Sequence, residues 1–194
     1  MTRTRAAGVV LAIAVGAVAL TLALTQGGRS NPGRTSGPFA GLHPASPPAG
    51  WNVARARGGA ALAYPPGWIA IKTDPGTASA ALLASGGRIV GYLNATPQSG
   101  AETLENWRQF RPQHNRQEGD RSVRLVAATT DVSFRSGRGS CVIDSYTTSK
   151  ANYREIACLV SGASSSAVVV AAAPSVLFNQ QTATLERAVS SFVA

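Results

Sequence analysis

SCVIDSYTTSKANYREIACLV, residues 140–160, holds two runs rich in β-branched and aromatic side chains around a polar centre. Such runs favour extended backbone, so the reading is a strand over Ser140–Thr148, a turn near Ser149–Ala151 and a second strand over Tyr153–Val160. A cysteine stands near each outer end. If Cys141 and Cys158 face each other directly, the midpoint of the hairpin falls between Ser149 and Lys150, and the register of the ladder is set.

The same pattern extends in both directions. Val123–Phe134 precedes the hairpin and Ala167–Ala173 follows it, both as strands. Further back lie Ala60–Tyr64, Trp68–Thr73, Ala78–Ala84 and Arg88–Ala95, separated by Pro65-Pro66-Gly67 and Ser85-Gly86-Gly87, which read as turns between successive antiparallel hairpins. Two segments change period. Ala101–Asn115 reads as a helix with Leu104, Trp107 and Phe110 on one stripe. Near the end, Leu185, Ala188, Val189 and Phe192 follow the i, i+3, i+4, i+7 spacing of an amphipathic helix. The expected fold class is α+β, an antiparallel β-sheet with two covering helices, in one domain over residues 51–194.

The N-terminal quarter decides the compartment. Residues 6–25 carry no charge and are rich in Ala, Val and Leu, behind a basic flank over residues 1–5 that includes Arg3 and Arg5. As a helix, twenty residues span about 30 Å, the thickness of a bilayer's hydrocarbon core. The arginines should stay cytoplasmic, which sends the rest of the chain outside. The reading is one transmembrane helix acting as an uncleaved signal anchor. The competing reading is a cleaved signal peptide and a secreted product, but the apolar core of such a peptide runs only about 7–15 residues. Lipid attachment near the N-terminus is ruled out because the first cysteine is Cys141. Residues 26–50 hold six glycines, five prolines and three serines, and read as a disordered linker spanning roughly 25–30 Å.

The 194 residues carry 18 Lys+Arg and 9 Asp+Glu, a net charge of +9. From Trp51 onward there are 14 cations and 9 acids, a net +5. That surplus is not clustered on one element, so it does not read as a nucleic-acid surface. Only Lys72 and Lys150 are lysines, a bias expected of coding from a GC-rich, bacterial genome.

Outside a membrane, two cysteines are expected to be joined. A redox pair would sit closer in sequence, and a metal needs more ligands than these thiols and distant histidines supply. Cys141–Cys158 is therefore read as a structural disulfide, and no metal or cofactor is expected.

No catalytic set is legible. His43 falls in the linker, which leaves His114 as the one imidazole of the expected domain, with no motif around it; it reads as a solvated or helix-capping residue. Ser164-Ser165-Ser166 is turn material without a paired base. Neither G-x-S-x-G nor a phosphate-binding G-x-x-x-x-G-K-[ST] loop is present. Glu102 with Glu105 suits a helix start, and Glu118 with Asp120 suits a charged loop. Arg108, Arg111, Arg116, Arg121 and Arg124 form the densest basic run and read as an exposed helix and loop with partly paired charges. Trp107 belongs to an apolar stripe and reads as core.

The Tyr64-Pro65-Pro66-Gly67-Trp68 turn, the Thr103-Leu104-Glu105-Asn106-Trp107 segment and the closing Ala188-Val189-Ser190-Ser191-Phe192 together resemble the PsbP-like α/β/α sandwich. More narrowly, they are similar to actinobacterial exported proteins of the LpqN type. The resemblance covers about residues 60–194. It implies an antiparallel sheet flanked by helices and a non-catalytic accessory or binding role, and it transfers no functional residue.

The functional expectation is a membrane-anchored extracytoplasmic binding or accessory module of the cell envelope, with a protein, lipid or glycan partner. The alternative is an envelope hydrolase with a carboxylate-based site, which two carboxylates converging in a cleft would mark. Non-reducing mass spectrometry of the exported protein should show Cys141 and Cys158 in one intramolecular link; two freely alkylated thiols would contradict the compartment as well as the bridge.

Overall fold

Residues 37–194 are described by the structure, a computed structural model. The elements in order are β1 (Asn52–Arg55), β2 (Ala61–Tyr64), β3 (Ile69–Ile71), β4 (Ala78–Leu83), β5 (Ile89–Pro97), α1 (Trp107–Gln117), β6 (Arg121–Ser133), β7 (Gly137–Thr147), β8 (Asn152–Gly162), β9 (Ser166–Pro174) and α2 (Phe178–Ser190). Strands β3 to β9 form one seven-stranded sheet in the order β3-β4-β5-β9-β8-β7-β6, every pair antiparallel. The class expected from the sequence, an antiparallel sheet with two helices, is the class found.

The order of the strands departs from a run of hairpins. After β5 the chain passes through α1 to the far edge, then returns as β6-β7-β8-β9 until β9 lies against β5. The composition of β9 explains its place: Ala167-Val168-Val169-Val170-Ala171-Ala172-Ala173 is apolar at every position and buried throughout, as a central strand covered on both faces requires. β6 is the opposite case. It is an edge strand of 13 residues with no fully buried position, and three register shifts, with positive φ at Ser122 and Asp131, break its ladder. Such irregularity keeps an edge from pairing with another chain.

Three local expectations are corrected. The strand over Ala61–Tyr64 is not in the main sheet but pairs with β1, which the sequence reading missed. The first helix begins at Trp107, not Ala101, because Thr103 and Asn106 close a turn in front of it: the Thr103 amide donates to Asn106 Oδ1 and the Asn106 amide to Thr103 Oγ1. Residues 37–50 are not a free tether. Phe39 and Leu42 are buried in the core under α2, the Leu42 amide donates to the Phe39 carbonyl, and the Ala45 amide donates to the Ser190 carbonyl. The Gly/Pro composition that suggested disorder shapes an ordered strap carrying two apolar anchors. The anchor expected over 6–25 and the linker up to residue 36 lie outside the described residues. Among the described residues no helix is long and apolar enough to cross a membrane.

Two turns show why particular residues stand where they do. Gly67 has φ +83° at the third position of Pro65-Pro66-Gly67-Trp68, closed by the Trp68 amide on the Pro65 carbonyl, a type II turn in which a side chain would be strained. Gly91 lies under the Trp68 ring; a Cβ there would come within 2.6 Å of the indole.

The two faces of the sheet bury different chemistry. On one, Leu185, Ala188, Val189 and Phe192 of the α2 segment meet Leu62, Leu93, Ile156 and a set of alanines, among them Ala80, Ala95, Ala171 and Ala173, small enough to let helix and hairpin approach. Cys141 and Cys158 lie within this core, directly opposite each other on β7 and β8 and bonded, with Cα atoms 4.1 Å apart. Thr147 pairs with Asn152, so the hairpin centre falls between Ser149 and Lys150 as expected. The other face carries α1 and a smaller cluster around Trp107, Val142, Leu159 and Val170.

Because Phe39 fills the core under α2, Phe39→Ala should lower the stability of the protein by about 2–4 kcal/mol in urea titration. A truly disordered tether would give no change.

Candidate functional site

A buried polar cluster holds α1 on its face of the sheet. β7 and β8 are in register with Asp144 opposite Glu155, and both residues are 0% exposed. Two carboxylates across an antiparallel pair repel, so the face needs a cation. α1 supplies it. Arg111 donates from Nε to Glu155 Oε1 at 2.7 Å and from Nη2 to Oε2 at 3.0 Å, a bidentate pair whose arginine side chain is only 14% exposed. One turn further along the helix, Asn115 donates from Nδ2 to Asp144 Oδ2 at 3.3 Å and to Glu155 Oε1 at 3.4 Å. From the sheet, the Tyr146 hydroxyl donates to Glu155 Oε2 at 3.1 Å. Trp107, one turn before Arg111, donates its indole N–H to the Ala157 carbonyl. Positions 107, 111 and 115 thus form a polar stripe on the inward side of the helix.

Charge in this cluster is unequally shared. Burial alone would raise the Glu155 pKa, but the Arg111 charge and the donors Arg111, Tyr146 and Asn115 outweigh it and hold Glu155 below the usual carboxylate range. Asp144 is pushed up to about 8, first by burial and then by the Glu155 charge beside it. Its Oδ1 has no protein partner. Asp144 is therefore the protonated member of the pair at neutral pH, and Glu155 the ionised one. Burial and then Glu155 also raise Asp120 and Tyr146.

The carboxylates are sealed, but the wall they position is open. Tyr146, fixed by Glu155, stacks on Tyr153 with ring centroids 6.0 Å apart. Both line a cavity of about 280 Å³ with Ile89, Tyr92 and Lys150. A larger cavity of about 480 Å³ adjoins it, sharing Ile89, Lys150 and Tyr153 and adding Arg88, Pro174, Val176 and Leu177. Beside α1 a third, of about 260 Å³, is lined by Phe110, Arg111, His114, Glu102 and Asn94. Neither Asp144 nor Glu155 lines any of the three.

The residues singled out in the sequence divide sharply. Arg111 leaves the basic run and is the buried partner of Glu155; Arg108, Arg116, Arg121 and Arg124 are exposed. His114 lies in the last turn of α1, stacked on Phe110 at 5.9 Å, and His43 belongs to the ordered strap. Glu102 is buried in front of α1, where its Oε1 accepts the Ser99 amide, and Glu105, Glu118 and Asp120 do not join it in a cleft. Asp144, Glu155, Tyr146 and Tyr153 were missed. The signal lay in the register: once Cys141 faces Cys158, Asp144 must face Glu155.

No protein-family model matches the sequence, and no curated protein matches it. Solved structures do. Cyanobacterial PsbP (CyanoP) from Synechocystis sp. PCC 6803 matches with a TM-score of 0.52 at 15% identity, over 75% of this chain and 92% of that one. LpqN of Mycobacterium tuberculosis, described as involved in cell envelope biogenesis, matches with a TM-score of 0.38 at 12% identity, over 76% of this chain and 79% of that one. A Pseudomonas aeruginosa protein of unknown function matches with a TM-score of 0.43 at 7% identity, over 74% and 96%. The first likeness shows the fold: it is PsbP-like, as the turn and helix motifs implied.

Asp144 predicts the direction of a pH effect. An unfolded aspartate titrates near 3.8 and this one near 8, so between those values the folded protein binds the extra proton and its stability falls as pH rises. Glu155 acts oppositely, but only below its ordinary value of 4.5. Thermal unfolding of the wild type should therefore drop from about pH 5 to about pH 8 more steeply than that of Asp144→Asn, which has no proton to lose. Equal slopes would place Asp144 among ordinary ionised carboxylates.

Proposed function

We propose that the chain is an extracytoplasmic accessory module of the cell envelope, tethered by residues 6–25, which binds a ligand or partner at the aromatic cavities around Tyr153. One contrast carries this reading. Among the described residues the only carboxylates that converge on the sheet, Asp144 and Glu155, are 0% exposed and engaged by Arg111 and Asn115, whereas the open cavities at Tyr153 have no acid among their lining residues. A hydrolase of the carboxylate type needs its pair where substrate and water can reach it. A binding site needs an apolar concavity with a few polar groups, and cavities of about 300–1,000 Å³ are usual for one.

The extracytoplasmic placement is supported by the uncharged run at 6–25 and by both cysteines being bonded within the core, a pairing that oxidising compartments permit. The ordered strap at 37–50 shortens the expected tether, which would then run from residue 26 to about residue 36.

Two measurements in cells test the proposal. Alkaline phosphatase fused behind Ala194 should be active, since that enzyme folds only outside the cytoplasm, and an inactive phosphatase with a fluorescent cytosolic counterpart would reject the topology. A photoreactive residue replacing Val176 should crosslink to an envelope component, while one replacing the exposed Arg135 should not. Equal or absent labelling at the two positions would reject the cavity as the binding surface.

A further inference from the structure

The two cavities that share Tyr153 as a wall are lined by cations and by no acid. Arg88 and Lys150 line the larger one and Lys150 also lines the smaller, and neither contains an acid. All nine acids of the chain fall within the described residues, yet among those residues neither Arg88 nor Lys150 forms an ion pair. Two unneutralised cations at one concavity attract an anion.

The remaining surface is not suited to a small hydrophilic anion. Ile89, Val90, Pro174 and Leu177 form an aliphatic lining, and Tyr153 turns one ring face to Tyr146. Val176 stands at the rim 87% exposed, the most exposed of the large apolar side chains among the described residues. Folding gains nothing from a valine in that position; an apolar chain laid across it would. An aliphatic lining also suits a flexible hydrocarbon better than a planar base, which would need a free aromatic face on either side.

We propose that these adjoining cavities take an anionic amphiphile, with its charged head between Arg88 and Lys150 and its hydrocarbon part along Ile89, Tyr153 and Leu177 towards Val176. This rests on the binding-module reading and names the ligand class of its site. Glu155 enters indirectly as a positioning residue: by holding the Tyr146 hydroxyl it keeps the Tyr146–Tyr153 stack in place as the wall of the smaller cavity.

The test uses the full chain in nanodiscs of zwitterionic phosphatidylcholine, titrated by calorimetry with octyl phosphate, octyl glucoside and inorganic phosphate, against empty nanodiscs. Octyl phosphate should bind saturably, and shortening it should weaken binding by about two- to fourfold per methylene. The Arg88→Ala/Lys150→Ala double variant should bind octyl phosphate at least about tenfold more weakly, as expected for losing charge-assisted contacts. Arg135→Ala, which removes an exposed cation elsewhere, should not differ from the wild type. Inorganic phosphate binding as tightly as octyl phosphate would overturn the proposal in favour of a simple anion site. Octyl glucoside binding equally well, with the double variant unimpaired, would overturn it in favour of a neutral ligand and leave the module reading standing. If none of the three binds while the Val176 crosslink forms in cells, the ligand class is wrong and the binding surface is right.

Discussion

A carboxylate that never meets water has to be answered from every side, and Glu155 sets that demand at the centre of one sheet face. Moving an ionised carboxylate into a protein interior costs several kcal/mol unless charge and hydrogen bonds compensate. Here the compensation comes from two directions at once. Arg111 and Asn115 reach down from α1, and Tyr146 reaches across from β7. Because the guanidinium fork must meet both carboxylate oxygens, α1 is held in a single rotation over the sheet. An apolar stripe of equal volume could match this cluster in stability, but it would tolerate sliding and turning of the helix. The polar cluster thus contributes position more than net stability. Removing one partner alone would leave the other charge buried and unanswered.

How much of this was legible depends on whether the signal was local. Eight strands could be read because alternation and β-branched runs are properties of a few neighbouring residues, and the α2 stripe of Leu185, Ala188, Val189 and Phe192 was plain for the same reason. The position of β9 between β5 and β8 was not, since only its unbroken apolar run hinted at a centre and nothing local names its neighbours. α1 was half legible for a physical reason: Leu104, Trp107 and Phe110 pack in the smaller core as their spacing implies, but Arg111 and Asn115 also face inward, and hydrophobic periodicity gives no sign of buried polar positions. Arg111 looked like one of five exposed arginines because its partner lies 44 residues away. Phe39 and Leu42 were hidden by the glycines and prolines around them. The cysteine hairpin is the instructive case, since the register it implied placed Asp144 against Glu155 and so already called for a buried cation.

The open cavities follow from unequal coverage of the two faces. Seven strands about 4.8 Å apart make a sheet roughly 29 Å across. One face is covered by α2, the β1–β2 hairpin and the strap at 37–50, and its core is one continuous apolar cluster. The other has α1, an 11-residue helix about 16 Å long and 10 Å wide, which packs chiefly over β6 and β7. The consequence can be followed along one row of paired residues: Leu125, Asp144, Glu155, Ala172, Tyr92, Ala81, Ile69. At the α1 end Asp144 and Glu155 are sealed; at the other, Ile69 is 48% exposed on the edge strand β3. Between them lies Tyr92, half-buried, and in the next row on the same face the half-buried pair Tyr146 and Tyr153. A helix long enough to shield the whole row would have closed the cavities, and a helix free to rotate would have given them no fixed wall. The short, pinned α1 does neither, and that combination is what leaves a shaped apolar surface beside a sealed charge.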